Sequence, residues 1–322
     1  MHRKNMQAII LAAGKGTRLA PITDKRSKGM LPILGKPILA RIILGMLASG
    51  LKDFILVVNP EDQEIGEYFR NEFSQVAQIQ FVNQDNQLGA AHALRLAAPK
   101  ITGDFILSAC DSLFPEQEMN LLVSTWQRHP GSHGLLSLER IPLEDAHKTG
   151  IVTLDGDQVS GIIEKPSPAE APSNISSTPL YAFSTSILDY ISRVPISPRG
   201  EYELQDAIQM MIDEGKRVNG LFLENRLTLT TAGDLLNINL EYLYTQQDSS
   251  QVGIENIGSK TELVKPIFIE AGVEIGAGCQ IGPGVYLERD ARIGDGAQLE
   301  NVVVLRDTTV AKRTKFTDMI LY

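Results

Sequence analysis

A six-residue register in the last part of the chain restricts its fold more than any other feature of the sequence. Every sixth residue from Ile257 to Ala311 belongs to an aliphatic column. Four positions after each of these residues comes a member of a second column, from Thr261 to Lys315, which is mostly small or β-branched. A period of six is typical of a parallel β-helix. A glycine-rich β-sandwich is the alternative, but it gives no reason for one register to persist. The aliphatic column comprises Ile257, Leu263, Ile269, Ile275, Ile281, Leu287, Ile293, Leu299, Leu305 and Ala311.

The ten six-residue units that follow this register resemble about three triangular coils of the left-handed type found in hexapeptide-repeat proteins. They occupy residues 257–322, which we call the repeat region. The polar segment before them, which contains Gln246–Gln251, is interpreted as a linker over residues 246–256. We therefore expect one domain at residues 1–245 and a second at 257–322. The repeat region is interpreted as an assembly or regulatory element through which the chain could form a homo-oligomer.

The chain before the linker alternates short apolar runs with amphipathic segments. This alternation predicts an α/β fold with a mostly parallel, Rossmann-like sheet and helices on both faces. Ligands of such sheets bind beyond the carboxyl ends of the strands. The predicted strands are Ala8–Ala12, Phe54–Val58, Ile79–Val82 and Phe105–Ser108. The predicted helices between them are Pro37–Leu47, Glu61–Phe73, Gly89–Ala98 and Glu116–Arg128.

The pattern is less regular after these elements. A hairpin is predicted around Asp155-Gly156, which is a common hairpin turn. The segment Ser167–Pro179 is rich in Pro and Ser and is predicted to be a loop. Glu201–Glu214 and Thr231–Tyr244 are predicted to be helices.

Composition excludes several classes of protein. The net charge of −9 gives no electrostatic support for nucleic-acid binding. No stretch reaches the ~18 apolar residues of a membrane span, so no membrane partner is expected. Cys110 and Cys279 are too few and too distant for a secreted disulfide scaffold, which favours a cytoplasmic protein. A signal peptide is the alternative for the N-terminal apolar run, but Gly14-Lys15-Gly16 follows it at once.

The segment Leu11–Leu19 (LAAGKGTRL), called here the glycine-rich turn, has the residues of an anion-binding site. Gly14 and Gly16 allow a tight turn and a close approach to a ligand. Exposed backbone amides in such a turn bind phosphate, and Lys15 and Arg18 add positive charge. The segment matches neither the Walker A pattern nor GxGxxG. A glycine-rich turn alone is often only a turn.

The longer context resembles the opening of the sugar-1-phosphate nucleotidyltransferases, of the uridylyltransferase and thymidylyltransferase type. The turn is followed by Pro21 and by KGMLPILGKPIL from Lys28 to Leu39. The resemblance implies that Arg18 holds the triphosphate and that Lys28 lies by the transferred phosphate. Two solvated surface cations are the alternative. The nucleotide-binding residues implied in this segment are Leu11, Ala12, Ala13, Gly14, Gly16 and Thr17.

The segment Gln84–Ala93 (QDNQLGAAHA) looks like the base-reading segment of the uridylyltransferase branch. There the matching Gln reads the pyrimidine edge, and an amide that both donates and accepts suits uracil or thymine. The resemblance thus favours UTP or dTTP and assigns Gln84 and Gly89 to the nucleotide. Ala90 departs from the Thr common at that place, and His92 is interpreted as structural.

The same resemblance places the metal and the sugar. Asp111 matches an Asp that holds Mg²⁺ between phosphates, although it could instead cap a following helix. Gly150 and Glu164-Lys165 resemble the strand pair that contacts the sugar and its phosphate. Glu164 would accept hydrogen bonds from hydroxyls, and Lys165 would hold the sugar phosphate. A salt-bridged hairpin end is the alternative, mainly for Glu164.

Two positions depart from the family pattern. Ser177 stands where the family has a sugar-contacting Asn, so the sugar stays open. Thr228 stands where many members have a second metal-binding Asp, and Thr alone is a poor Mg²⁺ ligand. An alternative alignment of Glu224-Asn225-Arg226-Leu227 with N-acetylglucosamine-1-phosphate uridylyltransferases makes Asn225, or Glu224, the second ligand.

The sequence therefore predicts transfer of a nucleotidyl group from a nucleoside triphosphate to a sugar 1-phosphate, with release of pyrophosphate. Arg18, Lys28, Lys165 and Mg²⁺ would neutralise the phosphates. A non-catalytic paralogue that regulates a partner is the alternative, and another phosphorylated acceptor such as choline phosphate is a third. An acetyltransferase like that of bifunctional uridylyltransferases is not expected, because all histidines lie at or before His147.

Overall fold

The computed structural model describes residues 6–245 and 256–322, and their contacts divide the chain into two compact units. The first unit runs up to Gly14 and continues over Leu39–Arg226; the second contains Lys15–Ile38 and the chain from Leu227 onwards. The linker expected at 246–256 and the start of the N-terminal segment lie outside the described residues, except for Asn256.

Helices and short strands alternate up to residue 245, and short strands follow. The helices are α1 (Ile38–Ala48), α2 (Gln63–Phe73), α3 (Ala90–Ala97), α4 (Glu116–Arg128), α5 (Ile187–Ile191), α6 (Leu204–Asp213) and α7 (Ala232–Thr245). Short 3-10 helices cover Thr17–Leu19, Ile22–Asp24, Lys28–Met30, Ala98–Lys100 and Leu143–Lys148.

The strands before the repeat region are β1 (Gln7–Leu11), β2 (Pro32–Ile33), β3 (Lys36–Pro37), β4 (Asp53–Val58), β5 (Gln78–Asn83), β6 (Phe105–Ala109), β7 (Ser112–Leu113), β8 (Gly134–Arg140), β9 (Gly150–Asp155), β10 (Gln158–Glu164), β11 (Ile175–Phe183), β12 (Val218–Phe222) and β13 (Leu227–Thr228). Those within it are β14 (Glu262–Leu263), β15 (Ile267–Ile269), β16 (Glu274–Ile275), β17 (Gln280–Ile281), β18 (Val285–Leu287), β19 (Arg292–Ile293), β20 (Gln298–Val304), β21 (Thr309–Val310) and β22 (Lys315–Leu321).

A nine-stranded sheet of order β5-β4-β1-β6-β11-β8-β12-β10-β9 forms the first unit. Strands β5, β4, β1 and β6 are parallel, as are β8 and β12. Strand β11 is antiparallel to both β6 and β8, and β9 and β10 form the expected antiparallel hairpin. Strands β10 and β11 therefore run against the other seven, so the sheet is mostly parallel as predicted but mixed beyond β6.

Both faces of the parallel half are buried. Ile9, Val57 and Leu107 belong to one core with residues of α3, α5 and α6. Ile10 and Leu56 point to the opposite face and are also fully buried. Strands buried on both faces consist of continuous apolar residues, which is why these strands were predictable from the sequence.

Strand β11 contradicts the second half of the loop predicted at Ser167–Pro179. Ser176, Ser177 and Thr178 are buried in this strand, and the hydroxyl of Ser137 donates to the carbonyl of Thr178 at 3.0 Å. The register with β8 shifts between Ser177 and Tyr181, on either side of Pro179. A proline cannot donate to the ladder and is accommodated at such a bulge. Polar composition therefore concealed a buried strand.

The repeat region forms three stacks of short parallel strands within the second unit. Pairing joins residues 18 apart, as in Ile267 with Val285 and Ile281 with Leu299, so each coil contains three six-residue units. A further stack contains β16, β19 and β21.

The predicted unbroken register is wrong after Leu299. Leu287 pairs with Val304 and Leu299 pairs with Phe316, so the offset falls to 17 residues. One unit therefore has five residues, and the aliphatic column continues at Val304, Val310 and Phe316 rather than at Leu305 and Ala311. Val302, Val304 and Val310 accordingly lie in the buried core, with Phe316 packed against it.

The contacts group α7 with the repeat region rather than with the sheet, since α7 packs against β20, β22 and β2. The Asn239 side chain accepts from the amide of Leu34 at 2.9 Å and donates to the carbonyl of Pro32 at 3.0 Å. The domain boundary at residue 245 stays a prediction. Cys110 and Cys279 are buried and form no disulfide. Among the described residues, no helix has the length and apolarity needed to cross a bilayer.

Candidate active site

The end of β1 brings the start of the glycine-rich turn to the carboxyl edge of the sheet. The amide of Ala12 donates to the carbonyl of Val57 at 2.7 Å, and Leu11 accepts from the amide of Cys110 at 3.2 Å. Ala12 and Ala13 are buried, whereas Gly14 is exposed and has open space around it. Ligands of α/β sheets bind at this edge.

The remainder of the turn belongs to the second unit and is compact. Gly16 has φ +63°, and its carbonyl accepts from the Thr23 hydroxyl at 3.0 Å. A Cβ on Gly16 would lie 3.2 Å from the Lys28 Cβ, so both the conformation and the space favour glycine. Arg18 is exposed in the 3-10 helix that starts at Thr17, and Lys28 is half-buried at the start of Lys28–Met30.

The predicted base-reading segment is hydrogen-bonded to the edge of the sheet. Gln84 follows β5, and its backbone amide donates to the carbonyl of Val58 at 2.9 Å. The side-chain amide of Gln87 donates to the carbonyl of Ala13 at 2.8 Å. Within the first unit, the structure therefore brings Gln84–Gly89 together with the part of the glycine-rich turn at Leu11–Gly14.

Gly89 is fixed by a close approach of another backbone segment. Its φ is +96°, and a Cβ at this position would lie 2.6 Å from the carbonyl oxygen of Tyr202. The amide of Tyr202 donates to the carbonyl of Leu88 at 2.8 Å, and Tyr202 accepts from Ala91 at 3.1 Å. Sequence reasoning did not identify Tyr202, since it is far away in the chain and matches no motif.

Asp111 lies in the turn after β6, half-exposed at the same edge of the sheet. The Ser112 hydroxyl donates to its Oδ1 at 3.2 Å. The alternative role of helix cap is wrong, because Pro115 precedes the first residue of α4 and strand β7 intervenes. Carboxylate oxygens are among the ligands that Mg²⁺ prefers in proteins.

Three predicted sugar-binding residues meet at the hairpin β9–β10. A Cβ on Gly150 would lie 2.8 Å from Ser177 Oγ and 3.1 Å from Glu164 Oε2. The Ser177 hydroxyl donates to the carbonyl of Gly150 at 3.4 Å and accepts from the Tyr181 hydroxyl at 3.2 Å. Although Ser177 replaces the family's Asn, it occupies the same small polar cluster as Gly150 and Glu164.

Glu164 has an unfilled acceptor. Its Oε1 lies 3.3 Å from Lys165 Nζ and 3.8 Å from Arg199 Nη2. Its Oε2 is buried and has no hydrogen-bond partner among the described residues. Burial raises the pKa of Glu164 and the nearby Glu203 adds to the rise, whereas the charges of Lys165 and Arg199 oppose it. One carboxylate oxygen of Glu164 thus forms the ion pair expected at a hairpin end, and the other oxygen is still able to accept a hydrogen bond.

Lys165 and Arg199 place two cations beside this carboxylate. Lys165 has φ +48°, and its amide donates to the carbonyl of Thr149 at 3.0 Å. Arg199 also pairs with Glu203 at 2.7 Å. Arg199 and Glu203 were not predicted from the sequence, because they lie in the irregular segment before α6 and match no motif.

The candidates for a second metal ligand follow β12. Asn225 is exposed, with φ +55°, and Glu224 beside it is also exposed. Arg226 pairs with Glu139, whereas Thr228 lies in strand β13 of the second unit. In residues 6–245 and 256–322, no three His, Cys, Asp or Glu side chains form a metal-binding group.

The first unit is an α/β sheet that brings Leu11–Gly14 and the segment Gln84–Gly89 to one carboxyl edge, where ligands of such sheets bind. A model of the nucleotidyl transferase family matches residues 7–242, so the chain belongs to that family. This confirms the resemblance on which the sequence analysis depended.

Three relatives show how the similarity is distributed. UTP–glucose-1-phosphate uridylyltransferase AglF of Haloferax volcanii is 33% identical over 68% of this chain and 88% of its own length. Glucose-1-phosphate thymidylyltransferase of Streptomyces griseus is 28% identical over 95% and 89%. The bifunctional protein GlmU of Methanococcus maripaludis is 32% identical over 84% of this chain, which spans only 62% of that protein.

Solved structures support the α/β fold. A UDP-glucose pyrophosphorylase complexed with UDP-glucose superposes with a TM-score of 0.69 at 20% identity. The similarity covers 75% of this chain and 100% of that chain.

Proposed function

We propose that this protein transfers a nucleotidyl group from UTP or dTTP to a sugar 1-phosphate and releases pyrophosphate. The observation that carries this proposal is the hydrogen bond from Gln87 to Ala13, which joins the base-reading segment to the glycine-rich turn. One nucleotide could thereby contact both, with its base at Gln84 and Gly89 and its phosphates at the exposed amides after Ala13. The named activities of the uridylyltransferase and thymidylyltransferase relatives agree with this assignment.

The reaction is an in-line displacement at the α-phosphorus. A phosphate oxygen of the sugar 1-phosphate attacks, the bond to the β-phosphate breaks, and pyrophosphate leaves. The nucleophile is ionised at neutral pH and requires no general base. Positioning and charge neutralisation therefore provide most of the catalysis. By resemblance, Arg18 holds the triphosphate, Lys28 neutralises the transferred phosphate and Lys165 holds the sugar phosphate.

The metal ligands proposed are Asp111 and Asn225, with Glu224 as the alternative to Asn225. Mg²⁺ usually takes one or two carboxylates and fills its remaining positions with phosphate oxygens and water. Asp111 is half-exposed and, within the part of the chain that the structure describes, belongs to no group of three metal-binding side chains, which fits that ligand count. The ion would supply positive charge to the phosphates of the bound nucleotide.

The sugar is proposed to bind at the hairpin β9–β10. Gly150 has no room for a Cβ, because Ser177 Oγ and Glu164 Oε2 would lie 2.8 and 3.1 Å from it, so the glycine lets these two polar atoms converge beside the strand pair. A sugar hydroxyl that donates to Glu164 Oε2 would satisfy a buried acceptor for which the described residues provide no donor. Lys165, next in the chain, is then suited to the sugar phosphate.

The repeat region is proposed to be a left-handed parallel β-helix that forms a separate domain at residues 257–322, after a linker at 246–256. Its three strand stacks and its 18-residue pairing support this proposal. Its role is proposed to be self-association. The two buried, unbridged cysteines agree with a reducing cytoplasm.

A substrate screen tests the proposal. Pyrophosphate release is measured with Mg²⁺ and UTP, dTTP, CTP, GTP or ATP, each with several sugar 1-phosphates and with choline phosphate. We expect release with UTP or dTTP and a sugar 1-phosphate. Release only with choline phosphate would identify the other acceptor. Binding of UTP without release in any combination would favour a regulatory, non-catalytic protein.

A further inference from the structure

The amide of Gln84 has only one orientation that its neighbours allow. Its Nε2 lies 3.3 Å from the carbonyl oxygen of Gly89 and 3.0 Å from Nδ1 of His92. A backbone carbonyl can only accept a hydrogen bond, so the atom facing Gly89 must be the amide nitrogen. Turning the amide over would place two oxygens against each other.

This orientation fixes the state of His92. Because Nε2 of Gln84 is a donor, Nδ1 of His92 must accept and therefore carries no proton. The imidazole is then the neutral tautomer protonated at Nε2. The ring is held by a stacked contact with Tyr202, with ring centroids 6.1 Å apart and an interplanar angle of 26°.

The same contacts determine the role of Oε1, the oxygen of the Gln84 side-chain amide. With Nε2 used by Gly89 and His92, Oε1 of Gln84 is left to accept, and no described residue donates to it. Uracil and thymine have a donor at N3, whereas N3 of cytosine is an acceptor. An amide locked with its oxygen as the open acceptor therefore favours the first two bases over the third.

We infer that His92 is a specificity-determining positioning residue, which locks the Gln84 amide so that its oxygen selects uridine and thymidine triphosphates over cytidine triphosphate. The inference rests on the proposed function, in which Gln84 faces the base edge. It replaces the purely structural role expected for His92 from the sequence.

The surroundings of His92 keep it neutral. Partial burial lowers the pKa of His92, and the positive charge of Arg95 on the same helix lowers it further, whereas a backbone hydrogen bond with Asn86 acts in the opposite direction. Arg95 itself lies over the Tyr202 ring, 4.6 Å from its centroid. The neutral acceptor that Gln84 requires is thus the form favoured at physiological pH.

Two variants separate the acceptor from the ring. His92→Phe keeps an aromatic ring against Tyr202 and removes the acceptor, whereas His92→Asn keeps a short side chain with an acceptor oxygen. We expect His92→Phe to lower the ratio of kcat/KM for UTP to that for CTP by roughly fivefold to tenfold, the effect of about one hydrogen bond. The loss should lie in the KM for UTP, and His92→Asn should restore most of the ratio.

The outcomes distinguish this inference from the proposed function. If the wild-type protein transfers no nucleotide at all, the proposed function fails. If it prefers UTP and His92→Phe retains the full preference while remaining folded, the inference is wrong and the function stands. An equal loss with UTP and CTP in both variants would show a merely structural role and would also overturn the inference.

A measurement on the wild-type protein does not depend on how the variants fold. The ¹⁵N chemical shifts of the His92 ring report which nitrogen carries the proton. We expect the signature of an unprotonated Nδ1 and a protonated Nε2 near neutral pH. A proton on Nδ1 would contradict the proposed lock directly.

Discussion

Burial places Glu164 in an environment that favours its neutral form, although its carboxylate is the group proposed to accept a sugar hydroxyl. Its raised pKa stems first from burial, with Lys165 and Arg199 opposing the rise. A carboxyl group whose folded pKa is raised contributes stability below its ordinary pKa and loses that contribution as pH rises through the folded value. At neutral pH, the ionised Glu164 therefore destabilises the free protein.

Glu164→Gln tests this conflict between stability and binding. Gln stays neutral, so we expect a higher midpoint temperature than wild type at pH 7. The difference should shrink as pH falls toward 4.5, the ordinary pKa of this group. The KM for the sugar 1-phosphate should rise about tenfold, because a charged acceptor is lost. Thermal unfolding at several pH values and initial rates provide the readouts; a lower midpoint at pH 7 would contradict the account.

Gly89→Ala tests the close approach of Tyr202. The positive φ and the 2.6 Å overlap with a backbone oxygen together should destabilise the first unit by at least ~1–3 kcal/mol and impair UTP binding. Gly103→Ala is the matched control, because a Cβ there meets nothing within 4 Å. Urea unfolding of both variants is compared with wild type. Equal midpoints for the two would refute the steric argument.

At the scale of single residues, the motifs predicted the glycines better than the side chains that surround them. Gly16 and Gly89 were assigned from sequence, and each proves to occupy a position that a Cβ would strain. Arg199 and Tyr202 were missed, since only the folded sheet brings residues from before α6 to Glu164 and Gly89. His92 was underestimated, because a tautomer is determined by neighbours rather than by spacing.

At the scale of elements, a buried ion pair ties the segment that carries Lys28 to the repeat region within the second unit. Arg26 donates to Glu288 at 2.7 and 3.1 Å, and both side chains are almost fully buried. Glu288 also accepts from the amide of Arg306 at 2.8 Å. The amide of Gly35 donates to the Tyr286 hydroxyl at 3.2 Å. The repeat strands therefore brace the segment that includes Lys28.

Glu288→Gln should reveal this bracing. Removing one charge of a buried pair leaves the other uncompensated, and we expect a loss on the order of 3 kcal/mol in stability, together with slower turnover. Glu274→Gln is the control, since its pair with Arg292 is exposed and should contribute less than about 1 kcal/mol. Chemical denaturation followed by circular dichroism compares them. A loss no larger than the control's would show that the pair does not brace the unit.

The elements themselves were predictable where apolar period and length agreed. Strands β1, β4 and β6 and helix α4 lie within a residue or two of their predicted bounds. Strand β11 was missed because buried hydroxyls look like a loop, and β8 and β12 were not predicted. In the repeat region, the period of six was correct until a single five-residue unit changed the register after Leu299.

At the scale of the whole molecule, self-association through the repeat region remains a proposal. Light scattering of the full chain should give a mass that is a multiple of 35.3 kDa. A mass of one chain across the accessible concentration range would count against assembly. The proposed function would stand with either result, because one chain contains all of the proposed catalytic residues.

The proposed reaction requires attack by the phosphate of a sugar 1-phosphate on the α-phosphorus of the nucleotide. UTP labelled at its α-phosphate is incubated with the protein, Mg²⁺ and glucose 1-phosphate, with Lys28→Ala in parallel. We expect the label to move into a nucleotide sugar, unlabelled pyrophosphate to be released in equal amount, and folded Lys28→Ala to be strongly impaired. Label that stays in UTP with every sugar 1-phosphate tried, or full activity of Lys28→Ala, would contradict it.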